Sequence, residues 1–257
     1  MLARTLALLA SLAALACSNT SGSAGDFEDD AGADEAAPPD LPQPECDPRR
    51  FGDCPPEQKC SYVVDAEHGP TNRCVDVLGD KLEGESCERI GDSDDCTHHR
   101  ICWATDANGK AGICIDFCDL GLGCAQEGEV CSVASEGLLP LCLPACNPLA
   151  QDCAAGWGCY PDPGDRWVCD VDRSGTTGAH GDPCECINCC DAGLACLSGP
   201  LVDAEGCGGE DGAAGCCAVI CDVEQASVCP SEAERCEAYF PEDAVMVGLE
   251  DVGTCRL

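Results

Sequence analysis

The chain has 257 residues, 29 of them cysteine, and carries 48 Asp and Glu against 13 Lys and Arg, for a net charge of −35. A field of that sign repels phosphate backbones and anionic lipid surfaces, so a nucleic-acid partner is excluded as an expectation. Large apolar residues are too sparse for one extended core, and cysteine on this scale signals a disulfide scaffold. Short units held by cross-links are expected, each bridge contributing ~2–4 kcal/mol.

Residues 1–16 read as a signal peptide: Arg4 precedes an apolar run from Leu6 to Leu15 that is too short to span a bilayer. Ala14-Leu15-Ala16-Cys17 resembles a bacterial lipobox, which makes Cys17 the expected lipidation site and the N-terminal lipid the expected membrane contact. Ala14-x-Ala16 also fits ordinary secretory cleavage, so extracellular secretion is the alternative. Removing Cys17 leaves 28 cysteines, an even number in which every one can pair. Ser18 follows Cys17, and by resemblance to the sorting rule of enteric bacteria that favours the outer membrane or cell surface. An exported chain meets an oxidising space, where disulfides persist.

Residues 17–45 hold the lipidated cysteine and an acidic tether rich in Ser, Gly, Ala, Asp and Pro, with six acids between Asp26 and Glu35. Such composition cannot pack a core and extends by self-repulsion. From Cys46 onward the cysteines fall into units. Unit one is Cys46, Cys54, Cys60 and Cys74. Unit two is Cys87, Cys96, Cys102 and Cys114. Unit three is Cys118, Cys124, Cys131 and Cys142. Unit four is Cys146, Cys153, Cys159 and Cys169. A larger fifth unit holds Cys184, Cys186, Cys189, Cys190, Cys196, Cys207, Cys216 and Cys217. Unit six is Cys221, Cys229, Cys236 and Cys255.

The units share more than cysteine. Asp or Asn follows the first cysteine at Asp47, Asp119, Asn147 and Asp222, where it can open a turn. Asp precedes the second cysteine at Asp53, Asp95 and Asp152. An aromatic follows the third at Tyr62, Trp103, Tyr160 and Tyr239, and its expected job is to cover the disulfides. Three C-x3-C junctions with apolar fillings hold neighbouring units in contact. Longer breaks at 75–86 and 170–183 divide the array into blocks 46–74, 87–169 and 184–255, with hinges expected between them. The expected fold is small and disulfide-rich: tandem loop-rich modules with short β-hairpins around the last two cysteines of each unit, little helix, and no single large core. One helical turn is expected in Pro230–Arg235.

Cys146-Asn147-Pro148-Leu149-Ala150-Gln151-Asp152-Cys153, with Gly156, Cys159-Tyr160-Pro161 and Cys169, resembles the cysteine-rich repeat lipoproteins of myxobacteria and related high-GC bacteria. The resemblance covers most of 46–255 and implies a surface protein with no catalytic residue. GDPCECINCCDAGLAC, opening the third block, is similar to a Dickkopf-type cysteine pattern over residues 181–221. Spacing alone leaves three pairings open for four cysteines. Analogy with the front half of epidermal-growth-factor-like modules implies the crossed one, first to third and second to fourth. In unit four that pairs Cys146 with Cys159 and Cys153 with Cys169.

No motif for catalysis stands out: a G-x-S-x-G elbow, H-E-x-x-H and a P-loop are all missing. Cys186-Ile187-Asn188-Cys189 and Cys184-Glu185-Cys186 have spacings that zinc accepts, but export favours disulfides, so no metal and no cofactor are assigned. The vicinal pairs Cys189-Cys190 and Cys216-Cys217 are expected to bond to different partners. His98-His99 beside Asp94-Asp95 is the one histidine pair that a divalent metal could use. Asp92, Asp94 and Asp95, and Glu205, Glu210 and Asp211, leave room for weak calcium binding, though no EF-hand spacing occurs. The expected function is non-catalytic: a lipid-anchored surface protein whose modules serve adhesion, partner binding or envelope structure, toward a protein or glycan. The alternative is a secreted inhibitor or binder of a hydrolase, using a rigid loop at Glu136–Pro140 or Pro161–Arg166.

Overall fold

The structure, a computed structural model, describes residues 44–257 apart from 66, 68, 105–108, 120, 163, 165, 209–211, 226–228 and 242–246. Residues 41–257 form one compact unit. Signal peptide, Cys17 and nearly all of the tether lie outside the described residues.

Each unit is one antiparallel hairpin. They are β1 (Gln58–Asp65) with β2 (Gly69–Asp76), β5 (Arg100–Ala104) with β6 (Ala111–Asp116), and β7 (Glu129–Ala134) with β8 (Leu139–Pro144). The array continues with β9 (Trp157–Pro161) and β10 (Trp167–Val171), β11 (Leu194–Ser198) and β12 (Gly215–Asp222), and β13 (Arg235–Ala238) and β14 (Val252–Arg256). Unit two adds β3 (Ser86–Ile90) and β4 (Ser93–Asp94), giving a four-stranded sheet ordered β4-β3-β6-β5. A second such sheet, β11-β12-β14-β13, joins units five and six because β12 runs straight on from one into the other. Helix among the described residues is limited to two 3-10 turns, Ser135–Gly137 and Gly199–Leu201.

In all six hairpins the third and fourth cysteines stand directly opposite: Cys60 and Cys74, Cys102 and Cys114, Cys131 and Cys142, Cys159 and Cys169, Cys196 and Cys217, Cys236 and Cys255. Opposed residues point to the same face of a ladder. They do not bond each other. Each reaches a cysteine of the preceding loop, which lies across that face. The bridges are Cys46–Cys60, Cys54–Cys74, Cys87–Cys102, Cys96–Cys114, Cys118–Cys131, Cys124–Cys142, Cys146–Cys159, Cys153–Cys169, Cys221–Cys236 and Cys229–Cys255. This is the crossed pairing throughout.

The fifth unit is the same module with two bridges inserted. Cys184–Cys196 and Cys190–Cys217 repeat the crossed pair, while Cys186–Cys189 closes a small ring in the first loop and Cys207–Cys216 ties the long connection before β12. Both vicinal pairs thus divide between different partners.

Alternation along the strands explains where the apolar residues go. Positions an odd number of residues from the third or fourth cysteine face away from the sulfurs. Ile101, Ile115, Leu141, Leu143 and Val168 all hold such positions, and with Phe117 and Leu139 they form a buried cluster drawn from units two, three and four. Tyr62 and Trp103 pack on the same cluster. A second cluster joins Trp167 of unit four to Ala195, Ile220, Phe240 and Val252, with Tyr239 against it. The cores therefore lie between modules. Tyr239 packs on the cluster that includes Cys159, with Cys146 and Cys153 beside it, and so lies over the unit-four disulfides, whereas Trp103 and Tyr160, one residue past the third cysteine, point away from its sulfur. Tyr160 is buried and its hydroxyl donates to the Cys190 carbonyl, 2.9 Å away in the next block.

The two long breaks, where hinges are expected, are hydrogen-bonded to the blocks they connect. In 75–86, the Lys81 amide donates to Asp95 O and the Thr97 amide to Lys81 O, while a side chain at Gly79 would collide with Asp95 O. In 170–183, the Arg173 amide donates to Asn188 O, the Asp191 amide to Gly178 O, and the Gly181 amide to Cys217 O. Pro230–Arg235 also departs from expectation. Ser231 O accepts the Glu234 amide in a single turn and β13 begins at Arg235, leaving no room for a helical turn.

Candidate functional site

The turn leading into each hairpin shows the local logic. Asx side chains after the first cysteine accept the amide two residues on: Asp47 from Arg49, Asp119 from Gly121, Asn147 from Leu149, Asp222 from Glu224. Asp53, Asp95 and Asp152, just before the second cysteine, each accept the amide of the residue after the first, closing that loop. In units three, four and five, position minus three from the third cysteine has positive φ: Gly128, Gly156 and Gly193 at +87°, +82° and +90°. Unit two puts His99 there, at +61°. That region costs a non-glycine residue roughly 1 kcal/mol, so this histidine is held by something else. Its ring lies between Phe51 at 6.0 Å and Phe117 at 6.3 Å between centroids.

His99 opens onto a groove of about 480 Å³ between the first loop of unit one and unit two. Arg50, Phe51, Pro55, Pro56 and His98 complete its rim, with Lys59 at the floor. Phe51 is 78 % exposed, an unusual exposure for an aromatic. The His98 Nε2 lies 3.0 Å from Pro56 O, and since a carbonyl can only accept, that nitrogen carries the proton. Lys59 is fully buried: its Nζ donates to Asp94, to Cys96 O at 2.8 Å and to Arg100 O at 3.3 Å. Burial pushes its ammonium below the usual lysine range, against the opposing pull of Asp94. Asp94 in turn accepts the amides of Cys96 and Cys102. This ion pair joins the first block to the second.

A second groove, of about 340 Å³, runs along Ile113, Ile115, Pro144 and Trp157, with Glu83 and Glu129 at its edge. Burial first, then the neighbouring carboxylates of Glu83 and Asp116, push Glu129 up to about 7. Gln126 donates its side-chain amide to Glu83, and Asp116 pairs with Arg100. Burial and Glu83 also raise Asp116, Arg100 notwithstanding.

Metal and calcium expectations meet this geometry as follows. Asp94 is committed to Lys59 and two amides, Asp95 to the Glu88 amide, and Asp92 is exposed at the tip of the β3–β4 hairpin. Glu205 is exposed, while Glu210 and Asp211 lie outside the described residues. His98 and His99 face Pro56 and the phenylalanines, not the acids. Cys184, Cys186 and Cys189 are all in disulfides. Of the loops suggested for a hydrolase inhibitor, Gly137 and Gly164 are exposed and Leu138 and Arg166 half-buried, while Leu139, Pro140, Pro161 and Asp162 are buried and Arg166 donates to Cys131 O and to Asp162. Among the described residues no helix is long and apolar enough to cross a membrane.

The feature that sequence reasoning missed is the groove at the junction of units one and two. Its signal was there in one respect: His99 occupies a place that glycine fills in three other units. Comparison with protein-family models, curated proteins and solved structures gives no match.

Proposed function

We propose that this is an exported cell-surface protein, anchored through a lipid on Cys17 and akin to the cysteine-rich repeat lipoproteins it resembles, whose stapled modules present a non-catalytic binding surface to a protein or glycan. One observation supports this reading above the rest. Fourteen bridges account for all 28 cysteines from Cys46 to Cys255, which leaves Cys17 alone for another chemistry. A chain in which every module needs two oxidised pairs belongs in an oxidising compartment. The acidic tether between Cys17 and Cys46 would hold the modules clear of the lipid surface.

The test is expression of the full chain in a Gram-negative host, with and without Cys17→Ser. The anchored form should fractionate with membranes, incorporate labelled fatty acid and gain the mass of 28 protons on reduction. Cys17→Ser should release it to the soluble periplasm with the same gain. Membrane association that survives Cys17→Ser without fatty-acid label would refute the anchor.

A further inference from the structure

We propose that the groove between units one and two binds a single uronic-acid residue, a sugar ring bearing one carboxylate, presented by a surface glycan. The inference adds a ligand class to the binding role and does not depend on the anchor. Four features of the groove carry it. Its volume, about 480 Å³, is in the range of small-ligand sites. Phe51 offers an open aromatic face to solvent, flanked by Pro55 and Pro56, a surface on which the C–H face of a pyranose can lie. Arg50, its side chain 64 % exposed, has its Nε 3.7 Å from Asp47, a carboxylate that Arg49 holds more closely at 2.9 Å, so its guanidinium fork keeps an open edge for a ligand carboxylate, and the imidazoles of His98 and His99 supply polar edges for hydroxyls. His99 keeps a left-handed backbone where units three to five use glycine, and strain of this kind gathers at ligand sites.

Charge selects among anions. The groove lining holds Arg50 and two imidazoles with one carboxylate, Asp53, which accepts from the Asp47 amide, and the Asp47 carboxylate behind it is shared by Arg49 and Arg50, whereas the whole chain has 48 acids to 13 bases. Arg49 and Arg50 balance Asp47 and Asp53 here, so the rim lacks the acid excess of the rest of the molecule. A net charge of −35 repels long polyanions, so a ligand with one exposed carboxylate on a ring body fits where a dense anionic polymer does not.

The experiment is calorimetric titration of the oxidised chain with a neutral galactose oligomer capped by one galacturonate, the uncapped oligomer, and a peptide ending in glutamate. The capped sugar should bind about tenfold more tightly than the uncapped one. Phe51→Ala, Arg50→Ala and His99→Gly should each weaken it by about the same factor. Phe51 and Arg50 are exposed, so their replacement should leave the free-thiol count at its wild-type value. Equal binding of both sugars, binding of the peptide alone, no binding, or indifference to Phe51→Ala and Arg50→Ala would each overturn the assignment.

Discussion

Asp170 shows how much one buried carboxylate organises. It is 6 % exposed and accepts from the Trp103 indole at 2.6 Å, the Asn188 amide group at 3.0 Å and its neighbour's backbone at Val171. Those donors come from units two, four and five, and the Arg173 guanidinium stacks over the same Trp103 ring at 4.9 Å. Burial raises the Asp170 carboxyl above the usual range, and the hydrogen bonds oppose that rise. Removing the acceptor strands buried donors, so Asp170→Ala should lower stability by roughly 2–4 kcal/mol in denaturant titration of the oxidised chain. A change near zero would mean that the three units are held by packing alone. Glu129 gives a pH prediction. Its folded value, about 7, lies above the unfolded one near 4.5, so folding favours the protonated acid. That contribution is complete below the unfolded value and is lost as pH rises through about 7. The groups around it are Glu83, Asp116, Arg100 and Gln126. Glu129→Gln should match wild type in melting temperature at acid pH and exceed it by a few degrees in mild alkali. Parallel pH profiles for the two proteins would contradict the burial of that carboxyl.

At the scale of the element, the repeat is defined by two cysteines facing each other across a hairpin and a loop that bridges to both. The spacing from second to third cysteine stays at five or six residues in every module, including Cys190 to Cys196 of the fifth. That stretch is a tight turn opening directly into the strand, as in the bonds from Gln58 to Pro55, Trp157 to Ala154 and Leu194 to Asp191. Variation is largest in the hairpin connection, 9 to 20 residues between the third and fourth cysteines against 5 to 8 between the first and second, and there extra chain adds little loop entropy. The two extra bridges of the fifth unit should therefore differ in weight from the crossed ones. Cys186–Cys189 closes a sequence separation of 3 and Cys190–Cys217 one of 27. By loop entropy the first contributes about 2 kcal/mol and the second about 3.5 kcal/mol. Paired Cys→Ser replacements should follow that order in denaturant midpoint, and only loss of the longer bridge should expose the β11–β12 hairpin to hydrogen exchange. The reverse order would show that the small ring carries the unit.

Among the described residues no bridge crosses a module boundary; apolar clusters, the buried Lys59–Asp94 ion pair and linker hydrogen bonds join the modules. Oxidised protein exposed to protease should yield one resistant fragment starting near residue 44, with 75–86 and 170–183 uncut, and reduction should abolish that resistance. Early cleavage in either linker, releasing separate blocks, would show that the junctions open freely. Much of this could be read in the chain itself. The Asx turns at Asp47, Asp119, Asn147 and Asp222 join residues two apart, and each hairpin pairs strands of a single cysteine unit. The fifth module was harder to see because its two inserted bridges masked Cys184, Cys190, Cys196 and Cys217. Linker docking, and the turn at Ser231–Glu234 in place of a helical one, depend on neighbours that cysteine spacing does not encode.

The amino-acid order alone determined that this is a chain of small cross-linked hairpins, because disulfide-stapled loops of this size take their shape from local spacing and turn chemistry. Only the tertiary structure decided that Lys59 buries its charge against Asp94, that Asp170 gathers three modules, and that Phe51, Arg50 and His99 share a groove. Those partners lie as many as 85 residues apart, and their meeting is set by how the sulfur-free faces of successive hairpins pack, which depends on side-chain shape and not on the repeat.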